Sequence, residues 1–249
     1  MAPSHTVFEL RQYTLRPGQR ERLVEVFERE FIESQEALGM ALPGQFRDLD
    51  DPDRFVWLRS FPDMPARAAA LASFYDGPVW RAHRETANAT MLDSDDVLLL
   101  RPVQGFALER TIRPGPDERV PAGLVMATIC PLTPVGAKVL AHDFEAQLRP
   151  RLQRHGAAML ASFVTEPARN TFPRLPVREG ECVFVWFACF ADAAAHATYQ
   201  AACATDPRVE AWIHRLDALP ETLRLTPTPR SMLRGIPSGA TPAATMEHA

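Results

Sequence analysis

The sequence predicts an α+β fold of two tandem ferredoxin-like (βαββαβ) repeats that pack sheet to sheet. Three observations point there. The stretch Phe55-Val56-Trp57-Leu58-Arg59-Ser60-Phe61-Pro62-Asp63 returns as Phe184-Val185-Trp186-Phe187-Ala188-Cys189-Phe190-Ala191-Asp192, without a gap, at an offset of 129 residues (184 minus 55). Gly39 and Phe46 return as Gly156 and Phe163 at an offset of 117 (156 minus 39). Hydrophobic periodicity also alternates between the strand and helix patterns in the same order in both halves: strand, helix, strand, strand, helix, strand. One structural unit is therefore used twice.

In chain order, Val7 to Leu15 alternates as a strand, with Phe8, Leu10 and Gln12 on one face and Glu9, Arg11 and Tyr13 on the other. Pro17-Gly18 breaks it. A helix follows to about Ala37, with Leu23, Val26, Phe27 and Phe31 at helical spacing, and Gly39 ends it. Ala41 to Arg47 reads as a second strand, and Phe55 to Phe61 as a third, after an Asp-rich turn. Helical segments at Ala66 to Phe74 and Val79 to Thr90 flank Gly77-Pro78, and Val97 to Arg101 forms the fourth strand. In the second copy, Leu124 to Ile129 is a strand and Pro134 to His155 a helix with Leu140, Phe144, Leu148 and Leu152 four apart. Helix Ala194 to Leu216 is broken at Pro207, and Thr222 to Leu225 closes the unit. The two offsets differ by 12 (129 minus 117), which places an insertion near Thr165 to Glu181, rich in Pro and read as an ordered-to-mobile loop. The expected organisation is a first domain over 5–105, a linker over 106–123, a second, diverged domain over 124–230 and a flexible tail over 235–249.

A four-stranded sheet with helices on one face leaves the other face bare. Two such units in one chain can cover each other's bare faces and close a barrel, whose interior is the expected ligand chamber. The 249 residues carry a net charge of -4, which gives no basic stripe for nucleic acid. No apolar run approaches the roughly 20 residues that span a bilayer, and the opening Met1-Ala2-Pro3-Ser4-His5 lacks a basic segment followed by an apolar one, so no secretory signal is expected. Cys130, Cys182, Cys189 and Cys203 all lie in the second half without C-x-x-C spacing, and read as reduced thiols of a cytoplasmic protein.

Phe8-Glu9-Leu10-Arg11-Gln12-Tyr13-Thr14-Leu15-Arg16-Pro17-Gly18 resembles the opening strand and turn of the NIPSNAP family. Phe55-Val56-Trp57-Leu58-Arg59, and Pro78-Val79-Trp80-Arg81-Ala82-His83-Arg84 through Asn88-Ala89-Thr90-Met91 to Asp93-Ser94-Asp95, resemble its bacterial members. The resemblance covers most of residues 5 to 103 and weakens over 124 to 226. It implies the dimeric α/β-barrel superfamily, here as an intrachain dimeric α/β barrel. That superfamily includes cofactor-independent monooxygenases, haem-degrading enzymes, muconolactone-type isomerases and proteins with no known reaction.

Glu9, Arg11 and Tyr13 are the sharpest candidates for catalysis. They share one face of the first strand, and with Phe8 and Leu10 assigned to the helices they are expected to point into the barrel. Arg11 would bind a carboxylate or enolate there, and Glu9 or Tyr13 would move a proton; the plain alternative is an Arg11–Glu9 ion pair that stabilises the wall. The second copy offers Ala127 and Ile129 at an offset of 118, which favours one polar site. Arg59 is a second candidate for the anion, or an edge residue with its head in water. Trp57 and Trp186 would face each other across the chamber, or simply pack in the core. His83, beside Arg84 and near Asn88, would reach the mouth as a base, or lie at the surface. Glu210 with His214, and His142 with Asp143, lack further ligands at metal spacing, so no metal is expected. No cofactor motif is present; haem stays open, since one histidine suffices as its ligand. G-x-S-x-G, Walker A, G-x-G-x-x-G and H-E-x-x-H motifs are all missing.

Three readings of function follow. One is a cofactor-independent monooxygenase, isomerase or cyclase acting on a small hydrophobic, oxygen-bearing ligand. The second is a non-catalytic metabolite binder or interaction module. The third makes the polar trio structural and the outer helices functional. The expected partners are a small hydrophobic ligand but no nucleic acid and no membrane, and a homo-oligomer stays open.

Overall fold

A computed structural model describes residues 5–104, 113–116, 118 and 123–234. The expected linker lies largely, and the expected tail wholly, outside the described residues. Among the described residues there are eight strands: β1 Val7–Leu15, β2 Ala41–Asp48, β3 Arg54–Phe61, β4 Met91–Pro102, β5 Leu124–Pro131, β6 Ala158–Thr165, β7 Val183–Phe190 and β8 Glu221–Pro227. They close an antiparallel barrel in the order β1-β3-β2-β8-β5-β7-β6-β4. Each half supplies four neighbouring strands, and the seams are β2 against β8 (Phe46↔Pro227) and β4 against β6 (Leu100↔Thr165).

Six helices among the described residues lie outside. Helix α1 (20–36) runs as Arg20–Val26, a π turn at Phe27–Phe31, and Ile32–Glu36. Helices α2 (Met64–Tyr75) and α3 (Pro78–Asn88) complete the first half. Helix α4 (134–154) runs as Pro134–Asp143, a π turn at Phe144–Leu148 and Arg149–Arg154; α5 (Ala193–Ala204) and α6 (Pro207–Ile213) follow. The π turns stand 117 residues apart (144 minus 27). Apolar residues spaced by four overshoot the 3.6-residue turn, so their stripe drifts by about 40° a step. The wider π turn takes up that drift and keeps Phe144 and Leu148 buried on one face.

The repeat is also explained at its boundaries. Asp63 and Asp192 are the N-caps of α2 and α5, accepting from the Ala66 and Ala195 amides at 2.7 and 2.8 Å. Pro78 and Pro207 open α3 and α6, where their missing N–H costs nothing. Gly39 and Gly156, just after α1 and α4, both have positive φ, +82° and +103°. β4 starts at Met91 rather than Val97, because the polar run Asp93 to Asp96 pairs with β1 beyond its apolar centre.

Two expectations are corrected here. The barrel interior is not a chamber. Apolar side chains from all eight strands fill it, among them Phe8, Leu10, Phe46, Val56, Leu100, Val125, Phe163, Phe187 and Leu225. Glu9, Arg11 and Tyr13 face the helices instead: Tyr13 belongs to the layer of Leu23, Phe27 and Phe31, while Phe8 and Leu10 point inward. Alternation sorts strand residues into two sets but does not say which set faces which layer, and here both faces are buried. The second correction concerns register. Arg11 stands opposite Trp57, and Thr128 opposite Trp186. The equivalents of Glu9, Arg11 and Tyr13 are therefore Met126, Thr128 and Cys130, at 117, whereas Ala127 and Ile129 belong to the barrel interior.

Candidate active site

The antiparallel register of β1 and β3 sets Glu9 beside Arg59, Arg11 beside Trp57 and Tyr13 beside Phe55. Opposite residues share a face, so all six meet the underside of α1 and α2. There Glu9 is surrounded by guanidiniums. Its Oε2 accepts from Arg11 Nη1 at 2.9 Å, Arg59 Nε at 3.0 Å and Arg59 Nη2 at 2.6 Å; its Oε1 accepts from Arg67 Nε at 2.7 Å. Glu9, Arg11, Arg59 and Arg67 are each 0% exposed. Among the described residues no other carboxylate pairs with these three guanidiniums, so three positive charges meet one negative charge away from water.

Neutral acceptors take up the rest. Arg59 Nη1 donates to Gln35 Oε1 at 2.9 Å, and Gln35 Nε2 donates to the Phe31 carbonyl, at the π turn, at 2.9 Å. Arg11 Nε donates to the Tyr13 hydroxyl oxygen at 3.0 Å, and its Nη2 to the Ser94 carbonyl at 3.3 Å. Arg67 Nη1 donates to Asn170 Oδ1 at 3.0 Å and Thr171 Oγ1 at 3.3 Å. Arg67 Nη2 has no hydrogen-bond partner among the described residues. Arg11 and Arg59 also lie 5.5 and 5.1 Å from the Trp57 ring, whose negative face favours cations.

Burial is the largest single influence on the Glu9 carboxyl and would raise its pKa. Arg59, Arg11 and Arg67 together outweigh it and hold the group well below the usual carboxylate range. Glu9 is thus a fixed anion with both oxygens engaged, and the expectation that it moves a proton is corrected on that ground. Burial raises the Tyr13 pKa, against the pull of Arg11, so its phenol stays neutral near pH 7. Burial lowers the Arg67 pKa, against the pull of Glu9.

The insertion of the second half reaches over this cluster. Besides Asn170 and Thr171, Phe172 is buried and stacks on Tyr75, ring centroids 6.0 Å apart. Leu175 packs into the same apolar layer. Arg174 pairs with Asp76 at 2.8 Å and Arg178 with Asp96 at 3.1 Å. Beneath it lies a void of about 30 Å³, lined in part by Tyr13, Gln35, Trp57, Phe74, Tyr75 and Trp80.

The structure thus brings together Glu9, Arg11, Tyr13, Trp57 and Arg59. The edge alternative for Arg59 falls with its complete burial. His83 stays out of the cluster: it is half-buried, with Nε2 3.3 Å from Glu30 Oε2 on α1. Trp186 lies in the second half against Phe144, ring centroids 4.9 Å apart, with the whole barrel between it and Trp57. Besides Asn170 and Thr171, two members within the first repeat are not among the residues singled out from the sequence. Arg67 sits four and seven residues before Leu71 and Phe74, on the buried stripe of α2. Gln35 continues the four-residue spacing of Phe27 and Phe31. A polar residue on an apolar stripe was the available signal for both. Among the described residues no group of three or more His, Cys, Asp or Glu is placed to hold a metal ion, and no helix is long and apolar enough to cross a membrane.

A closed barrel of two ferredoxin-like repeats, with a charged cluster buried under the helices of one of them, is a dimeric α/β barrel drawn from a single chain. Residues 8–105 match the NIPSNAP family model. That span holds the whole cluster except the contribution of Asn170 and Thr171. Comparison with curated proteins gave no match. Among solved structures, an anthrone oxidase-like protein covers 95% of this chain and 97% of its own at 14% identity, with a TM-score of 0.61. A monooxygenase candidate from Fusobacterium nucleatum covers 90% and 93% at 7% identity, TM-score 0.58. Another, from Lactobacillus acidophilus, covers 90% and 94% at 13% identity, TM-score 0.56. At these identities the likeness is one of fold.

Proposed function

We propose that the chain is an enzyme that holds a small hydrophobic, oxygen-bearing molecule as an anion or enolate beneath the helices of its first repeat, and that it acts as a cofactor-independent monooxygenase. The observation that carries this reading is the uncompensated charge of Arg11, Arg59 and Arg67 against Glu9 alone. Buried cations without counter-charge are costly, and a bound or developing anion offsets that cost. Arg11 donates to the Tyr13 oxygen, which leaves the Tyr13 hydroxyl proton for a ligand oxygen in the void that Tyr13 lines.

In this reading a methylene group beside a carbonyl loses a proton to water, because the Tyr13 hydroxyl and the nearby guanidiniums stabilise the enolate. The carbanion gives its electron pair to dioxygen, forming a carbon–oxygen bond. The peroxide, once protonated, breaks its oxygen–oxygen bond and loses water to leave a ketone. One methylene and one dioxygen thus become one ketone and one water. The Trp57 side forms the apolar wall, and Glu9 fixes the arginines. An isomerase or cyclase would use the same enolate without dioxygen. The void holds about one water molecule, so substrate enters as segment 170–175 and Tyr75 move aside. The anthrone oxidase-like and monooxygenase-like neighbours support this class of reaction.

Non-catalytic binding of an anionic metabolite is the second reading, favoured by the absence of a free base at Glu9. Anthrone separates the two. The enzyme reading expects one dioxygen consumed per anthrone, faster than in buffer, and an Arg11→Ala variant that loses turnover beyond its loss of binding. Binding of anthrone that is weakened by Arg11→Ala, without oxygen uptake, would leave only the second reading.

A further inference from the structure

The second repeat has its own cavity at the place where the first keeps its charged cluster. It measures about 350 Å³ and lies between the β5–β7 face and helices α4, α5 and α6. Its lining corresponds to that of the small void in the first repeat. By the offset of 129, Trp186 stands for Trp57, Cys203 for Phe74, Ala204 for Tyr75 and Val209 for Trp80. By the offset of 117, Leu148 stands for Phe31 and Leu152 for Gln35.

The reason this cavity is larger follows from those pairs. Three aromatic rings that fill the first site are replaced by Cys, Ala and Val. The guanidiniums are gone as well: Thr128 stands at the Arg11 position and Ala188 at the Arg59 position. Met126 replaces Glu9, so the loss of charge is complete on both sides. His196 stands at the Arg67 position, where burial lowers its pKa and leaves it neutral near pH 7. Among the described residues no Asp, Glu, Lys or Arg lines the cavity. Trp186 and Trp212 line it, both more than nine-tenths buried, and the Nε1–H of each has no hydrogen-bond partner among the described residues.

We propose that this cavity is a second binding site, for an uncharged apolar molecule of two or three rings. The volume falls in the range of small-molecule pockets, roughly 300–1,000 Å³. A neutral lining excludes a buried charge, which would find no counter-ion. The Trp186 and Trp212 rings supply a flat aromatic wall against which such a ring system can pack. The two repeats thus differ in what they accept: the first a negative charge, the second a neutral ring system.

The test uses the full chain and N-phenyl-1-naphthylamine, a neutral fluorescent aromatic amine, with 1-naphthoate as the anionic comparison. The expected result is saturable binding of the amine, with transfer from tryptophan fluorescence, that a tenfold excess of 1-naphthoate does not displace. Restoring the first repeat's residues by Cys203→Phe with Ala204→Tyr should weaken the amine at least tenfold, and Val209→Trp alone serves as a second filling variant. Arg11→Ala should leave amine binding unchanged, which keeps this result separate from that of the oxygen-uptake experiment. Lack of saturable amine binding, displacement of the amine by equimolar naphthoate, or binding unaltered in a filling variant that retains the native melting profile would overturn the proposal.

Discussion

Tyr75 of the first repeat stacks on Phe172 of the second repeat's insertion, with ring centroids 6.0 Å apart and planes inclined by 26°. The contact covers the cluster of one repeat with a segment contributed by the other. Phe172→Ala removes a buried ring and is expected to destabilise the protein by about 3 kcal/mol. It should also raise hydrogen exchange in segment 170–175 beyond the change in global stability. Exchange that rises equally everywhere would mean the segment is not a separate cover.

Glu9 neutralises part of a buried cationic cluster, so its loss should be among the most damaging single changes. Glu9→Gln leaves three guanidiniums without their counter-charge and is expected to cost about 3–5 kcal/mol. For a chain of this size that lowers Tm by roughly 10 °C. Arg67→Met should cost less, because it removes one of the excess positive charges while Glu9 keeps Arg11 and Arg59. Equal losses in a thermal melt of the two variants would contradict the charge excess.

The same carboxylate sets an acid limit. Its pKa is depressed in the folded state, so the folded protein binds fewer protons than the unfolded chain. The stabilisation is therefore present above the unfolded value of about 4.3 and is lost as pH falls from there toward the folded value. Denaturant midpoints measured from pH 6 down to 3 should fall more steeply in the native protein than in Glu9→Gln.

Asp63 and Asp192 make the same N-cap in each repeat. Replacing either by Ala should cost about 1 kcal/mol, and the two losses should add, since the caps lie in separate halves. Urea midpoints of the two single variants and the double variant measure this.

The repeat, the order of elements and the common face of Glu9, Arg11 and Tyr13 were legible in the sequence. They rest on periodicity and on copies that can be aligned. The direction of that face was not legible. Phe8 and Leu10 are as apolar as the helix-facing Phe55 and Phe61, so hydrophobicity alone could not rank the two sides. The position of the cluster depends on Arg67 and Gln35, which are distant in sequence from Glu9 and meet it only once α1 and α2 lie on the sheet. The cover by Asn170 and Phe172 is a contact between halves, and no local pattern encodes it. The equivalence of Thr128 with Arg11 became clear only through the pairing with Trp186 and Trp57.

The peptide link between the repeats has a consequence for how such a protein can change. In a symmetric pair of separate subunits every substitution occurs twice. A cationic excess would then be duplicated, and an enlarged cavity on one side would be matched on the other. Joined in one polypeptide, one repeat can concentrate charge while its twin sheds it, and both still pack on one shared apolar centre.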